Sequence, residues 1–201
     1  MSALLGPLDS RGRIPPRQQT RVAAFLLSAH GALARHFAVA LAAQSSGAAW
    51  QAELNAQLYR ESEIVSLLFH GTTWVPDLEL VFLGPRWEAV WLLRPVPGVA
   101  DRLQGSIIDL AALAHAVHAA MRPAALLPPD APLQDAFVQA LRRIEFESGR
   151  LIQAQILFLK SAELAPVRDA VSAAVESRHA EVRKLWRGML LGLGVRCDEP
   201  G

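Results

Sequence analysis

Apolar residues recur every three or four positions through most of this chain, and no other feature narrows its fold as far. From Arg17 to Gln44 the stripe is Val22, Phe25, Leu26, Ala29, Leu33, Phe37, Ala40 and Leu41. That spacing makes one face of an α-helix apolar, and such a face must be buried. Ser45-Ser46-Gly47 breaks the pattern and offers a helix N-cap. Trp50, Leu54, Leu58, Val65 and Leu68 then carry a second stripe over 48–70, closed by His70-Gly71. A third helix is expected from a Ser106 cap through Met121. A fourth follows the Pro-rich loop 122–132 and covers 133–162. A fifth covers 164–193, with Pro166 tolerated in its first turn. The near-heptad spacing of Leu164, Val167, Val171, Val175, Val182, Leu185 and Met189 is that of a bundle seam.

Between the second and third helices the period changes. Leu78–Leu83 and Glu88–Leu93 are short runs rich in Val, Trp and Phe, with Gly84-Pro85-Arg86-Trp87 between them. These features predict a β-hairpin at about 78–94. Both faces of its second strand are largely apolar, so cover is expected on both sides: helices on one, a second subunit or partner on the other. The expected fold is mainly α: a single-domain bundle of about five helices over 17–195, with the β-hairpin inserted between the second and third. An irregular Arg-containing arm (1–16) precedes it and a frayed tail (196–201) follows.

Composition excludes several classes. Of 201 residues, 52% are hydrophobic and 19% charged, too apolar a chain for wholesale disorder. The single cysteine, Cys197, excludes an internal disulfide framework and a Cys-based zinc site. A net charge of +1 provides no bulk attraction to nucleic acid or anionic membrane. Eighteen Arg against two Lys indicates a bacterial-like, high-GC coding bias. The first residues carry only a short apolar piece, broken by Pro7, Asp9 and Arg11, which does not suit a signal peptide. Val22–Ala43 is long enough to span a bilayer, but Arg35, His30 and His36 near its middle make insertion costly. No membrane span and a cytoplasmic location are therefore expected.

Function in a helical chain is written in the polar residues that fall on apolar stripes. At 100° per residue, Glu61 lies in the middle of the second stripe. Arg178 lies between Val171, Val175, Val182 and Leu185, with His179 beside it. Ser148 and Gln155 share a face with Phe137, Leu141, Ile144, Leu151 and Leu159. His118 falls at the edge of the third stripe and His115 points away from it. A lone charge in a core is expensive, so Glu61 and Arg178 are expected to pair. The pair either sets helix register or forms a polar pocket with Ser148, Gln155 and His179.

Motifs add little. Glu176-Ser-Arg-His179 has the Glu-x-x-His spacing of carboxylate-bridged di-iron bundles, to which Glu61 or Glu63 and Glu145 or Glu147 could add carboxylates. The required second Glu-x-x-His is absent. His115-x-x-His118 has no partner of matching spacing. No cofactor is therefore predicted and no metal site favoured; Glu176 and His179 are the nearest to one. There is no Gly-x-Gly-x-x-Gly, P-loop or Gly-x-Ser-x-Gly, and no catalytic residue is assigned. Arg11, Arg13, Arg17 and Arg21 could contact phosphates. Trp74, Trp87 and Trp91 around the hairpin, with Leu185, Trp186 and Met189 on the fifth helix, are the interface candidates. The sequence thus reads as a non-enzymatic helical adaptor or assembly protein, working as a homo-oligomer or through a protein partner. The alternatives are a DNA-binding regulator using the Arg-rich arm, and a metal- or ligand-binding helical enzyme centred on Glu61, Arg178 and His179.

Overall fold

The computed structural model describes residues 14–43, 48–72, 88–127, 131 and 133–192. They form five long helices and one short one: α1 Pro16–Ala43, α2 Ala48–Gly71, α3 Glu88–Trp91, α4 Arg102–Ala120, α5 Ala136–Leu159 and α6 Arg168–Gly192. The all-α expectation holds. The β-hairpin does not: among the described residues there is no strand. The expected first strand, 78–83, and the Gly84–Trp87 turn lie outside those residues. The expected second strand, 88–93, is instead the single turn α3 followed by irregular chain.

Side chains, not a neighbouring strand, satisfy the backbone there. The carbonyls of Val90 and Leu92 accept from Arg178 at 2.7 and 2.8 Å, and the Arg94 amide donates to Asp109 at 2.6 Å. Those three groups are thereby paired without a ladder.

Capping decides where the helices start. Asp101, not Ser106, caps α4, accepting from the amides of Leu103 and Gln104. Asp135 does the same for α5 through Phe137 and Val138. Pro166 lies in a 3-10 turn, Ala162–Val167, so α6 begins after it. Gly105 has a packing role: a Cβ there would stand 3.2 Å from the Val96 nitrogen and 3.3 Å from Pro95, on the chain that runs back along α4.

Four helices enclose the main core. α1 packs on α2, α2 on α5, α5 on α4, and α4 closes the ring against α1. Cross-links fix their senses. His30 meets Glu61, Glu61 meets His118, His118 meets Ser148, and Gln57 meets Gln155. Phe37, Leu54, Ile107, Ala111, Gln155 and Phe158 gather a layer below, so neighbours in the ring are antiparallel, while α2 and α4, on a diagonal, run in the same sense. A bundle of this kind needs one connection that crosses its length, and it falls between α2 and α4. α6 packs outside the ring, against α4.

Val22, Leu26, Leu33, Ile64, Leu110, Leu113, Val117, Leu141 and Ile144 form the centre of the core. A smaller cluster of Val96, Ile108, Leu159, Leu164 and Val171 seals the far end under α6. α1 is long and apolar enough to cross a membrane, and more than half of its most apolar stretch is buried within this fold.

Candidate functional site

Each of the four ring helices contributes one polar side chain to the same layer of the core. His30 comes from α1, Glu61 from α2, His118 from α4 and Ser148 from α5, and all four are at most 2% exposed. Helical spacing puts them there. Leu26, His30, Leu33 and Phe37 follow one another at three or four residues on α1, and Leu54, Gln57, Glu61, Ile64 and Leu68 do so on α2. Both sets are the buried faces of their helices.

Glu61 is the hub. Its Oε2 lies 2.8 Å from His30 Nδ1, and its Oε1 lies 2.7 Å from His118 Nε2. His118 Nδ1 continues to the Ser148 hydroxyl at 3.0 Å. The two imidazole rings are 5.2 Å apart. One ligand atom from each of His30, Glu61 and His118 lies within 4.8 Å of the others, close enough for all three to share one metal ion.

Burial alone would raise the Glu61 carboxyl. The charges and N–H groups of His118 and His30 outweigh it and hold the carboxyl at about 2, so Glu61 is ionised. Burial pushes His30 below its ordinary value, outweighing the attraction of Glu61, so that ring favours its neutral form. The layer therefore places a carboxylate charge inside an apolar core. A proton on an imidazole or a cation between the three ligands would relieve it.

The expected Glu61–Arg178 pair does not form. Both residues are buried, as their stripe positions require, but each has other partners. Arg178 reaches Asp109 through Nε at 2.9 Å and again through Nη2, Glu181 at 3.1 Å, and the carbonyls of Val90 and Leu92. All five guanidinium N–H groups are used. Arg94 adds a link to Glu181 at 2.8 Å. This is a structural latch holding the 90–94 segment between α4 and α6.

The other predicted residues separate in the same way. Gln155 is buried but bonds Gln57 at 3.1 Å, one layer below the histidines. It lines a small cavity of about 20 Å³ with Phe37, Leu54, Ile107 and Phe158, and its Oε1 has no hydrogen-bond partner. His179 is half-buried and meets His115. His115 therefore does not point away, and His118 is central rather than at an edge. Glu176 is exposed. Glu145 pairs with Arg122, and Glu147 with Arg143 and Arg150, all away from the Glu61 layer.

Of the interface candidates, Trp186 and Met189 are core residues, at 5% and 3% exposure, with Trp186 against Phe25. Leu185 and Trp91 are partly buried against the same core. Trp74 and Trp87 lie outside the described residues, as do Arg11, Arg13 and Cys197. Arg17 and Arg21 belong to the first turns of α1, and Arg21 reaches the Gly192 carbonyl.

Missed in the sequence were His30 and Gln57 in the core layers and Asp109, Glu181 and Arg94 around Arg178; of these, His30 and Asp109 are the most buried with charged partners. His30 and Asp109 carry the signal that revealed Glu61, a polar side chain at three-to-four spacing within an apolar stripe. Comparison of the chain with protein-family models, curated proteins and solved structures finds no match.

Proposed function

We propose that this chain is a metal-binding helical protein, with one divalent transition-metal ion held by His30, Glu61 and His118 in the middle of its four-helix core. The convergence of two imidazole nitrogens and a carboxylate from three different helices, all fully buried, is the observation that carries this reading. Two histidines and one carboxylate are a ligand set used by iron, zinc and manganese centres that keep a coordination position open for chemistry. Ser148 has the role of an orienting partner. Its hydroxyl can accept the Nδ1–H of His118 and so direct the Nε2 lone pair at the ion. The centre suggested by the sequence, around Arg178 and His179, is thereby replaced by one that shares only Glu61 and Ser148 with it.

Metal analysis of the purified chain after anaerobic loading with Fe²⁺ or Zn²⁺ tests the reading. One ion per chain is expected. Ser148→Ala should weaken binding about 10–100-fold, the range for losing a partner behind a ligand, and Glu61→Gln should weaken it further. A folded wild-type chain that takes up neither ion would overturn it and leave the layer as a proton-holding polar core.

Assembly is a second reading. Tyr59 and Phe69 on α2 and Phe146 and Leu157 on α5 are more than half exposed, and the two helices are neighbours. Exposed apolar side chains on adjacent helices suit a contact with a second copy. Native mass spectrometry of the chain would show a dimer if so, weakened by Leu157→Glu; a monomer at micromolar concentration rejects it.

A further inference from the structure

We propose that His115 and His179 form a second, outer metal site, a two-histidine pair that takes a divalent cation such as Cu²⁺ or Ni²⁺ directly from solvent. His115 Nδ1 and His179 Nε2 face each other at 2.9 Å across the seam between α4 and α6, with the rings edge to face, 5.0 Å apart. Two cis ligands each about 2.05 Å from an ion stand roughly 2.9 Å apart, so the separation already suits an ion set to one side of the line between these nitrogens, reached when each ring turns its lone pair toward it. Water would fill the remaining positions.

Three further features suit the pair to a cation. Both rings are half-buried, so an ion can reach them while the ring bodies remain fixed by packing. Burial, the neighbouring His179 and His118 hold His115 down at about 4, and burial with Arg183 lowers His179, so protons compete poorly for the lone pairs at neutral pH. Arg183 is exposed and its repulsion is screened by solvent. His115 also lies one helical turn from His118 on α4, which sets the outer pair beside the buried layer.

His115 and His179 are ligands that the buried centre does not use, and Cu²⁺ titration separates the two sites. Cu²⁺ is the tightest-binding of the candidate ions. Bound copper is counted by native mass spectrometry and its nitrogen ligands by electron paramagnetic resonance, with far-UV circular dichroism confirming that each variant is folded. The wild type should take two ions per chain. His115→Gln and His179→Gln should each take one, and His30→Gln should take one that is lost when His179→Gln is added. If His115→Gln and His179→Gln bind as much copper as the wild type, the outer site does not exist. A single wild-type ion removed only by His30→Gln also sinks the outer site and leaves the buried one standing. A single ion removed only by His179→Gln supports the outer site and rejects the buried one. No bound ion rejects both.

Discussion

Arg178 shows how far one side chain can determine local structure. It is 1% exposed, it is charged, and every one of its donors is paired. A buried ion pair of this kind is poor evidence of net stabilisation, because desolvation offsets much of the attraction. Removing one partner is different, since it strands the others. Arg178→Ala would leave the Val90 and Leu92 carbonyls without this donor and the Asp109 carboxylate with the Arg94 amide but without its buried guanidinium. The expected cost is about 3–5 kcal/mol in urea unfolding, with Arg178→Lys recovering little because an ammonium cannot match the bidentate contact. A loss under about 1 kcal/mol would show that the 90–94 segment is held some other way. Glu61 differs in kind. Its partners are titratable, so the cluster can exchange protons or a cation, whereas the Arg178 latch cannot.

At the scale of elements, the close approach of α2 and α5 depends on Gly71, the last residue of α2. A Cβ there would come within 2.5 Å of the Ala140 Cβ and 3.2 Å of the Ala136 carbonyl oxygen. Gly71→Ala forces those helices apart at the end nearest the His30–Glu61–His118 layer. Overpacking of this order costs about 1–3 kcal/mol, more than the gain from replacing a helical glycine with alanine. The variant should therefore unfold at lower urea than the wild type, and Gly71→Ala with Ala140→Gly should recover part of the loss. Equal stability of the single variant would mean that the end of α2 frays freely. Capping acts at the same scale: Asp101 and Asp135, neither part of an apolar stripe, decide where α4 and α5 begin.

For the whole molecule, acid should be the most informative perturbation. His30, His36, His115 and His179 all lie below their ordinary value of 6.5, each through burial first, and His115 lies at about 4. The unfolded chain therefore binds protons that the fold refuses, and stability is lost as pH falls below 6.5. Glu61, at about 2 against 4.5, adds a further loss as pH falls from 4.5 towards 2. The urea midpoint should be level above pH 7, fall between 6.5 and 4, and fall again below 4.5. His115→Gln should flatten the first part of the descent. A midpoint unchanged from pH 7 to 5 would mean that these rings are protonated within the fold. A metal ion bound at neutral pH would steepen the descent, because protons displace it from imidazoles.

The local period of the sequence was enough to determine that the chain is helical, roughly where five helices lie, and that Glu61, Ser148, Gln155 and Arg178 face inward. Those conclusions need only 3.6 residues per turn and the cost of exposing an apolar stripe. Which buried residues meet was not legible, because pairing depends on how helices are ordered around the core. Glu61 and Arg178 are both inward-facing, yet α2 sits opposite α4, and α6 lies outside the ring, so each finds partners nearer to hand. The 88–94 segment misled for the same reason: its Val, Trp and Leu content suits a strand, but Arg178 and Asp109, distant in sequence, take the backbone groups a strand would have offered. His30 looked like an obstacle in an apolar helix until the fold brought Glu61 and His118 against it. Burial follows from periodicity within one helix, whereas a site made from three helices exists only once their order and direction are set.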